Sequence, residues 1–482
     1  MENIELLVKR LCKEKECEWL EFKHNNPEPE MIAKDVCALA NGASFCEKDF
    51  SYMIWGVDDI SHEIAGTTFN PYSYRKGNEE FLNWLQRMLS DNADYKFDSV
   101  EIDAKPVVVL TIRKALDKPV MCCKKEYVRV GSSTKELNDV PAVKVQLWEK
   151  LRFAKFETLV LKTDLGDNEV IKLLDSQLYF ELQNMHIPTS NEGILHYFEE
   201  DGLVRIQANG LYSITNLGAI LLARHFEDFP SLERKAVRIV RYKGNGKTEI
   251  LKQFASNKGY SVDFERILDY LQAILPSQEV IGSDGLRNVV SDYPLIALRE
   301  ILANAIIHQD FSIPGCGIVV EVFDNRIEIV NPGIPLIELE RIIDNPPRSR
   351  NEMLSSMMRR FKMCEELGTG WDKICDSCEK LFLPAPKIEI VGNSTKVTLF
   401  SFRSFKELSS EERLRICYQH TCLQYVKGEK MTNQSLRNRL QIEEKNKAIA
   451  SRLISDALSK KLIKPYDENT APRYMQYIPH WA

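Results

Sequence analysis

The sequence predicts an α+β multidomain chain, and three observations carry that prediction. Its 482 residues are enough for roughly three to four hydrophobic cores. Residues 1–150 mix an opening helix and a helix over about 30–41 with strands at 52–57, 100–102, 107–112 and 126–130. From Ser409 onward the chain reads as three helical patterns and a short turned ending.

Taken in order, the first unit, 1–150, is α+β by that mixture. Residues 151–284 form a connecting helical and mixed region, with a strand-turn element at 203–214 and a strand at 236–242. A third unit, 285–402, opens with a helix, continues through alternating strands at 318–323 and 326–330 around an Asp324-Asn325 turn, and closes with a strand at 397–402. In the last unit, 405–482, Thr432 suits the N-cap of the second helix. Ile449, Leu453, Ile454, Ala457 and Leu458 keep helical period in the third helix, and 464–477 suits a small hairpin.

A formal net charge of −6 argues against a protein that coats nucleic acid with its whole surface, and it leaves local basic patches open. Such residues do gather late in the chain, as Arg437, Arg439, Lys445, Lys447, Arg452, Lys460, Lys461 and Lys464. No apolar run approaches the ~18 residues a membrane helix needs, so no membrane partner is expected. The opening MENIELLVKRLCKEKE reads as a charged amphipathic helix without the apolar core of a secretory signal, and the cysteines are scattered, so a cytoplasmic location with reduced thiols is expected. Cys375 and Cys378 have the spacing of half a zinc site but no second pair follows, which makes them core residues. Gly244-Asn245-Gly246-Lys247-Thr248 lacks the earlier glycine of a Walker loop, position 241 being Arg, and is expected to be a turn.

The richest stretch lies at 298–335. Glu300, Asn304 and His308 recur at a spacing of four and so share one helical face, while Leu298, Ile301, Leu302, Ala305 and Ile306 cover the opposite face. A carboxylate to orient or deprotonate water, an amide oxygen as a hard ligand and an imidazole to meet phosphate together suit a Mg-nucleotide. A hairpin, an Asn331-Pro332-Gly333 turn and a Gly368-Thr369-Gly370 turn follow. This series resembles the GHKL-type (Bergerat-fold) ATP-binding domain, an α/β sandwich, and more closely the GHKL-like domains found behind Schlafen AlbA-type domains in bacterial and archaeal proteins.

The resemblance implies ATP and Mg²⁺ as cofactors. By position, Glu300 places the attacking water and is catalytic if ATP is hydrolysed, Asn304 binds Mg²⁺, Asn331 and Gly333 stand at the adenine motif, and Gly368 and Gly370 support the phosphate lid. One departure is Asn331, where the family carries Asp. Its side-chain oxygen still accepts a hydrogen bond from the adenine amine, without the charge-assisted part. Binding is therefore expected, and hydrolysis stays open.

At the N-terminus, Glu16, Glu18 and Glu21 with Lys23 crowd together as a helix gives way to an extended segment, and Asp58-Asp59 follow a strand. Carboxylates at strand ends hold divalent metals for phosphodiester cleavage, and they also occur on solvated surfaces. The set Glu16 with Glu21-Phe22-Lys23, Ala40-Asn41, Gly56-Val57-Asp58-Asp59 and Gly66 resembles the Schlafen AlbA-type domain. In members with ribonuclease activity three acidic residues serve, which by position are Glu16, Glu21 and Asp59, with Asp58 as an alternate; the resemblance implies a site for Mg²⁺ or Mn²⁺, with Lys23 steadying phosphate charge. Other members are DNA-binding regulators.

The C-terminal unit resembles a winged helix-turn-helix, in which the third helix enters the major groove and the wing touches backbone. Lys447, Ser451 and Arg452 flank the apolar stripe of that helix and are the expected DNA contacts. The leading expectation is an ATP-responsive nucleic-acid-binding protein, a DNA-binding transcriptional regulator that forms a homo-oligomer as GHKL proteins do. The alternative class is a metal-dependent endoribonuclease acting on tRNA or other structured RNA in anti-phage defence, and a third is an inert interaction scaffold.

Overall fold

The computed structural model describes residues 4–116, 118–152, 156–281, 287–343, 348–364 and 370–482. They form two compact units, one of Met1–Ile171 with Thr189–Gly218 and one of Lys172–Pro188 with Ala219–Ala482. The architecture is mixed α+β with several sheets. Among the described residues no helix is long and apolar enough to cross a membrane.

In the first unit a four-stranded sheet runs in the order Leu20–Lys23, Phe50–Trp55, Lys105–Arg113, Tyr95–Ile102. Its first pair is parallel and the rest antiparallel. The helix Pro29–Phe45 starts with Pro in its first turn, where a missing N–H costs nothing, and is buried along most of its length. Gly42 is required there, because a Cβ would stand 2.1 Å from the Glu18 carbonyl oxygen. Asn41 ties this helix to a second, three-stranded sheet: its Nδ2 donates to the carbonyls of Val120 (2.9 Å) and Tyr127 (2.8 Å), and its Oδ1 accepts from the Val120 N–H (2.8 Å). Fully buried, this amide has its polar atoms satisfied, which fixes the angle between helix and sheet. A further sheet orders Val160–Leu165, Tyr212–Thr215 and Val204–Ile206.

The second unit is built on a six-stranded sheet, in the order Ile250–Ala255, Arg238–Tyr242, Val319–Val322, Arg326–Pro332, Ser394–Phe400, Lys387–Val391. The expected division near residue 285 does not coincide with this sheet. Arg238–Tyr242 pairs in parallel with Val319–Val322, so the sheet begins well before the anticipated boundary. A parallel pair needs a long crossover, and partners so distant in sequence leave no local trace. Gly244–Thr248 lies in the link between the antiparallel strands Arg238–Tyr242 and Ile250–Ala255, closed by a hydrogen bond from the Lys243 N–H to the Glu249 carbonyl at 2.9 Å, as the spacing indicated. The helix Leu295–Ile307 packs on the strand Arg326–Pro332 and on the helices Tyr260–Ile274, Glu352–Arg360 and Gly370–Lys380.

The chain ends in helices Ser410–Val426, Asn433–Arg439 and Lys447–Ser459 and an antiparallel pair, Ile463–Pro465 with Tyr477–Pro479. Ser409 and Thr432 each close a capping box, so local hydrogen bonds set where the first two helices begin. Leu414, Cys417, Leu436, Leu453, Ile454 and Ile463 share one core. This module docks on the helix Gly370–Lys380. Glu379 meets His420 Nδ1 at 2.8 Å and Arg439 Nε at 3.3 Å, Lys427 meets Asp376 at 2.6 Å, and Arg439 also donates to the Leu383 carbonyl at 2.6 Å. Cys375 and Cys378, on the same helix, are buried. Arg439, counted in the sequence among the late basic residues, is thus buried and spent within the protein.

Candidate nucleotide cavity and the N-terminal acidic cluster

The helix Leu295–Ile307 presents its polar positions to a cavity of about 620 Å³. Glu300, Asn304, His308, Asn331 and Gly370 all line it, together with apolar Ile301, Ile329, Ile334 and Leu336. Residues separated by up to seventy positions thereby face one space of the size a nucleotide needs. Gly368 lies outside the described residues.

Gly370 lines this space, whereas the expected Gly333 is not among its lining residues. At Gly370 a Cβ would stand 2.7 Å from Glu300 Oε2 and 3.3 Å from Asn304 Nδ2, so any side chain there would fill the polar end. Gly333, just beyond the strand Arg326–Pro332, has φ +107°, and a Cβ there would meet Arg350 Nη1 at 2.5 Å. Its carbonyl accepts from Thr395 Oγ1 at 2.7 Å, which holds the turn against the neighbouring strand. Asn331 sits on the edge of this turn, buried and opposite Thr395 in the ladder, with Nδ2 donating to the Pro332 carbonyl at 3.3 Å.

Sequence reading missed a second group of residues. Arg350 donates to the carbonyls of His308 and Ile334, each at 3.2 Å, and Asn351 Nδ2 donates to those of Ile307 and Gln309, each at 2.8 Å. These bonds satisfy carbonyls around the end of the Leu295–Ile307 helix and so hold His308 in place. Burial, and then the Arg350 charge, press the His308 imidazole below its ordinary value and favour its neutral form. Arg348 and Arg359 also line the cavity and have no acidic partner among the described residues. The run of arginines between 348 and 360, opposite so few acids, was the signal available.

Asn304 and His308 have no side-chain hydrogen-bond partner among the described residues, and they face the cavity beside a glycine cradle. That donor and acceptor set fits a Mg-nucleotide: Asn304 Oδ1 is a hard oxygen ligand, Asn331 is an amide at the turn, and two guanidiniums balance anionic charge.

The N-terminal acids are arranged differently. Glu21 is buried and ion-paired with both Arg129 and Lys23. Arg129 also donates to the carbonyls of Cys17 (3.0 Å) and Ser132 (2.9 Å). Glu16 accepts from the Phe22 N–H at 2.9 Å; burial raises its carboxyl above the ordinary range, against that bond. Asp58 accepts from the N–H of Ile60 (3.1 Å) and Ser61 (2.8 Å), and these bonds lower its carboxyl, while Asp59 is exposed. The expected triad of Glu16, Glu21 and Asp59 is therefore not gathered into one ligand set, and among the described residues no group of three His, Cys, Asp or Glu side chains could hold a metal. Arg129, more than a hundred residues away in sequence, pairs with Glu21 from the neighbouring sheet.

On the third C-terminal helix Lys447, Ser451 and Arg452 are exposed. Ser451 Oγ accepts from Asn433 Nδ2 at 3.1 Å, so it bridges two helices.

Comparison with known families matches two stretches of the chain. The model described as Schlafen, AlbA_2 matches residues 16–138, and the model described as putative ATP-dependent DNA helicase recG C-terminal matches residues 315–399. No curated protein sequence matches the chain. Among solved structures, the DIP2311 protein from Corynebacterium diphtheriae is 18% identical over 96% of this chain and 92% of its own, with a TM-score of 0.43. The chain joins a Schlafen AlbA_2-type region to an ATPase-like region of the recG C-terminal type.

Proposed function

We propose that this protein binds Mg-ATP in the cavity of its ATPase-like region and couples the bound nucleotide to nucleic-acid binding, as a DNA-binding regulator in the cytoplasm. The single observation that carries the reading is one cavity that collects Glu300, Asn304, His308, Asn331 and Gly370. Asn304 would hold Mg²⁺, which supplies charge neutralisation at the phosphates; Asn331 would meet the adenine edge; His308 and the arginines would face anionic oxygens. Glu300 stands where a water could be oriented, which leaves ATP hydrolysis as a property of the same site.

DNA contact is assigned to the terminal module read as a winged helix-turn-helix, through Lys447 and Arg452. The N-terminal region is assigned to nucleic-acid binding without cleavage, because its buried acid is already neutralised by Arg129 and Lys23. The route between nucleotide and DNA is the helix Gly370–Lys380, whose first residues line the cavity and whose Glu379 is bonded to the terminal module.

The test is calorimetric titration of Mg-ATP into the full chain and into Asn304→Ala. We expect at least a tenfold loss of affinity, about 1.4 kcal/mol, on losing the amide ligand. Equal affinity in the two proteins would remove Asn304 from the site, and absence of binding by the parent would overturn the reading.

A further inference from the structure

We propose that Met88, Cys122 and Cys123 form a three-sulfur site for a soft monovalent metal ion, copper(I). Cys122 Sγ lies 3.8 Å from Cys123 Sγ, and Cys123 Sγ lies 3.5 Å from Met88 Sδ. Three sulfurs bonded at about 2.3 Å to one trigonal centre stand about 4 Å apart, so both spacings are close to what a shared ion requires. The flexible Met88 side chain, with three rotatable bonds, supplies the remaining adjustment.

The backbone holds these sulfurs together. The Cys123 N–H donates to the Met88 carbonyl at 2.9 Å, the Ser90 N–H to the Met121 carbonyl at 2.9 Å, and the Met121 N–H to Ser90 Oγ at 2.8 Å. The end of the helix Phe81–Met88 is thus laced to the short strand Met121–Cys122. Cys123 and Lys124, which link this strand to Lys125–Val130, have φ of +51° and +64°. Two consecutive left-handed residues are normally Asn or Gly, since a Cβ there costs roughly 1 kcal/mol or more. Local preference therefore does not select cysteine at this turn, yet it is the turn that aims Cys123 at Met88.

Accessibility and chemistry agree. Among the described residues Cys123 is the one exposed cysteine, so an ion has a route to the buried Cys122 beside it. Two thiolates and a thioether are soft donors that suit copper(I), whereas zinc favours four nitrogen, oxygen or thiolate ligands. Among the described residues no third His, Cys, Asp or Glu joins the pair. Binding replaces two S–H bonds by two copper–thiolate bonds, adds a third bond from a lone pair of the Met88 thioether, and releases two protons to solvent, with no change of oxidation state.

The test is an anaerobic titration of the full, reduced chain with copper(I) against a chromophoric copper(I) chelator, with Cys123→Ser, Met88→Leu and, as a control outside the site, Cys46→Ser. We expect the parent and Cys46→Ser to withhold one equivalent from the chelator, Cys123→Ser to withhold none, and Met88→Leu to bind at least tenfold more weakly. Copper(I) should also protect Cys123 from alkylation, read by mass spectrometry of the peptide. Unchanged stoichiometry in Cys123→Ser would place the ion on other thiols, and unchanged affinity in Met88→Leu would remove the thioether; either result overturns the three-sulfur site.

Discussion

The buried carboxylate Glu21 and the helix positions Asn304 and His308 are both polar sites set in apolar surroundings, yet they are finished in opposite ways. Around Glu21 the protein supplies its own counter-charges, Arg129 and Lys23, and the cluster is closed. Around Asn304 and His308 the protein supplies a cavity of about 620 Å³, a glycine in place of a side chain, and two arginines without acidic partners among the described residues. A polar cluster whose groups satisfy one another serves stability, and one whose groups are held in place but left for a ligand serves binding.

The largest effect should come from breaking the closed cluster. Arg129→Met leaves Glu21 buried with Lys23 as its remaining cation, and removing one partner of a buried pair costs about 3–5 kcal/mol. Hydrogen exchange along the strand Leu20–Lys23 in graded urea would read it, and a change below about 1 kcal/mol would show that the cluster is not closed.

Next is the open site. Gly370→Ala places a methyl group 2.7 Å from Glu300 Oε2, so Mg-ATP affinity should fall by about 10- to 100-fold, on the order of 1.4–2.8 kcal/mol, while thermal stability stays near the parent's. If both properties fall together, the glycine is a folding requirement and the contrast weakens.

The exposed cations of the third C-terminal helix extend the comparison. Lys447→Gln with Arg452→Gln should lower the slope of log affinity for duplex DNA against log salt by about one for each phosphate that is no longer neutralised. An unchanged slope would assign that helix to protein contact.

The smallest effect concerns His308. Its imidazole is held below the ordinary 6.5, so the folded state resists protonation. The contribution is fully present above that value and is lost as pH falls through the lowered folded value, because the unfolded chain takes up the proton first. Thermal scans between pH 7.5 and 5 should therefore show less acid sensitivity in His308→Gln than in the parent. Bound Mg-ATP should move the His308 titration upward, which NMR of the ring protons would follow; a downward shift would argue that no phosphate approaches it.

Much of this was legible in the sequence because it was local. The period of four placed Glu300, Asn304 and His308 on one face, the missing glycine at 241 excluded a Walker loop, and Thr432 marked a helix start that the structure caps with Ser435. The two family matches, at 16–138 and 315–399, take in the motifs from Glu16 to Gly66 and from Asn331 to Gly370, while Glu300, Asn304 and His308 lie ahead of the second match. What stayed hidden was pairing over distance. The parallel strand Arg238–Tyr242 joins the sheet of the ATPase-like region, Arg350 and Asn351 clamp the end of the helix that carries His308, and Glu379 anchors the terminal module through His420 and Arg439.

The same division explains the acids at the start of the chain. Sequence determined that Glu16, Glu21 and Asp59 lie near strand ends, since spacing and periodicity act over a few residues. Only the tertiary structure decided that Arg129, from another sheet, reaches Glu21 and forms a buried ion pair with it. Whether a carboxylate is free for a metal depends on the charge and dielectric around it, and those are set by whichever distant segments the fold brings alongside.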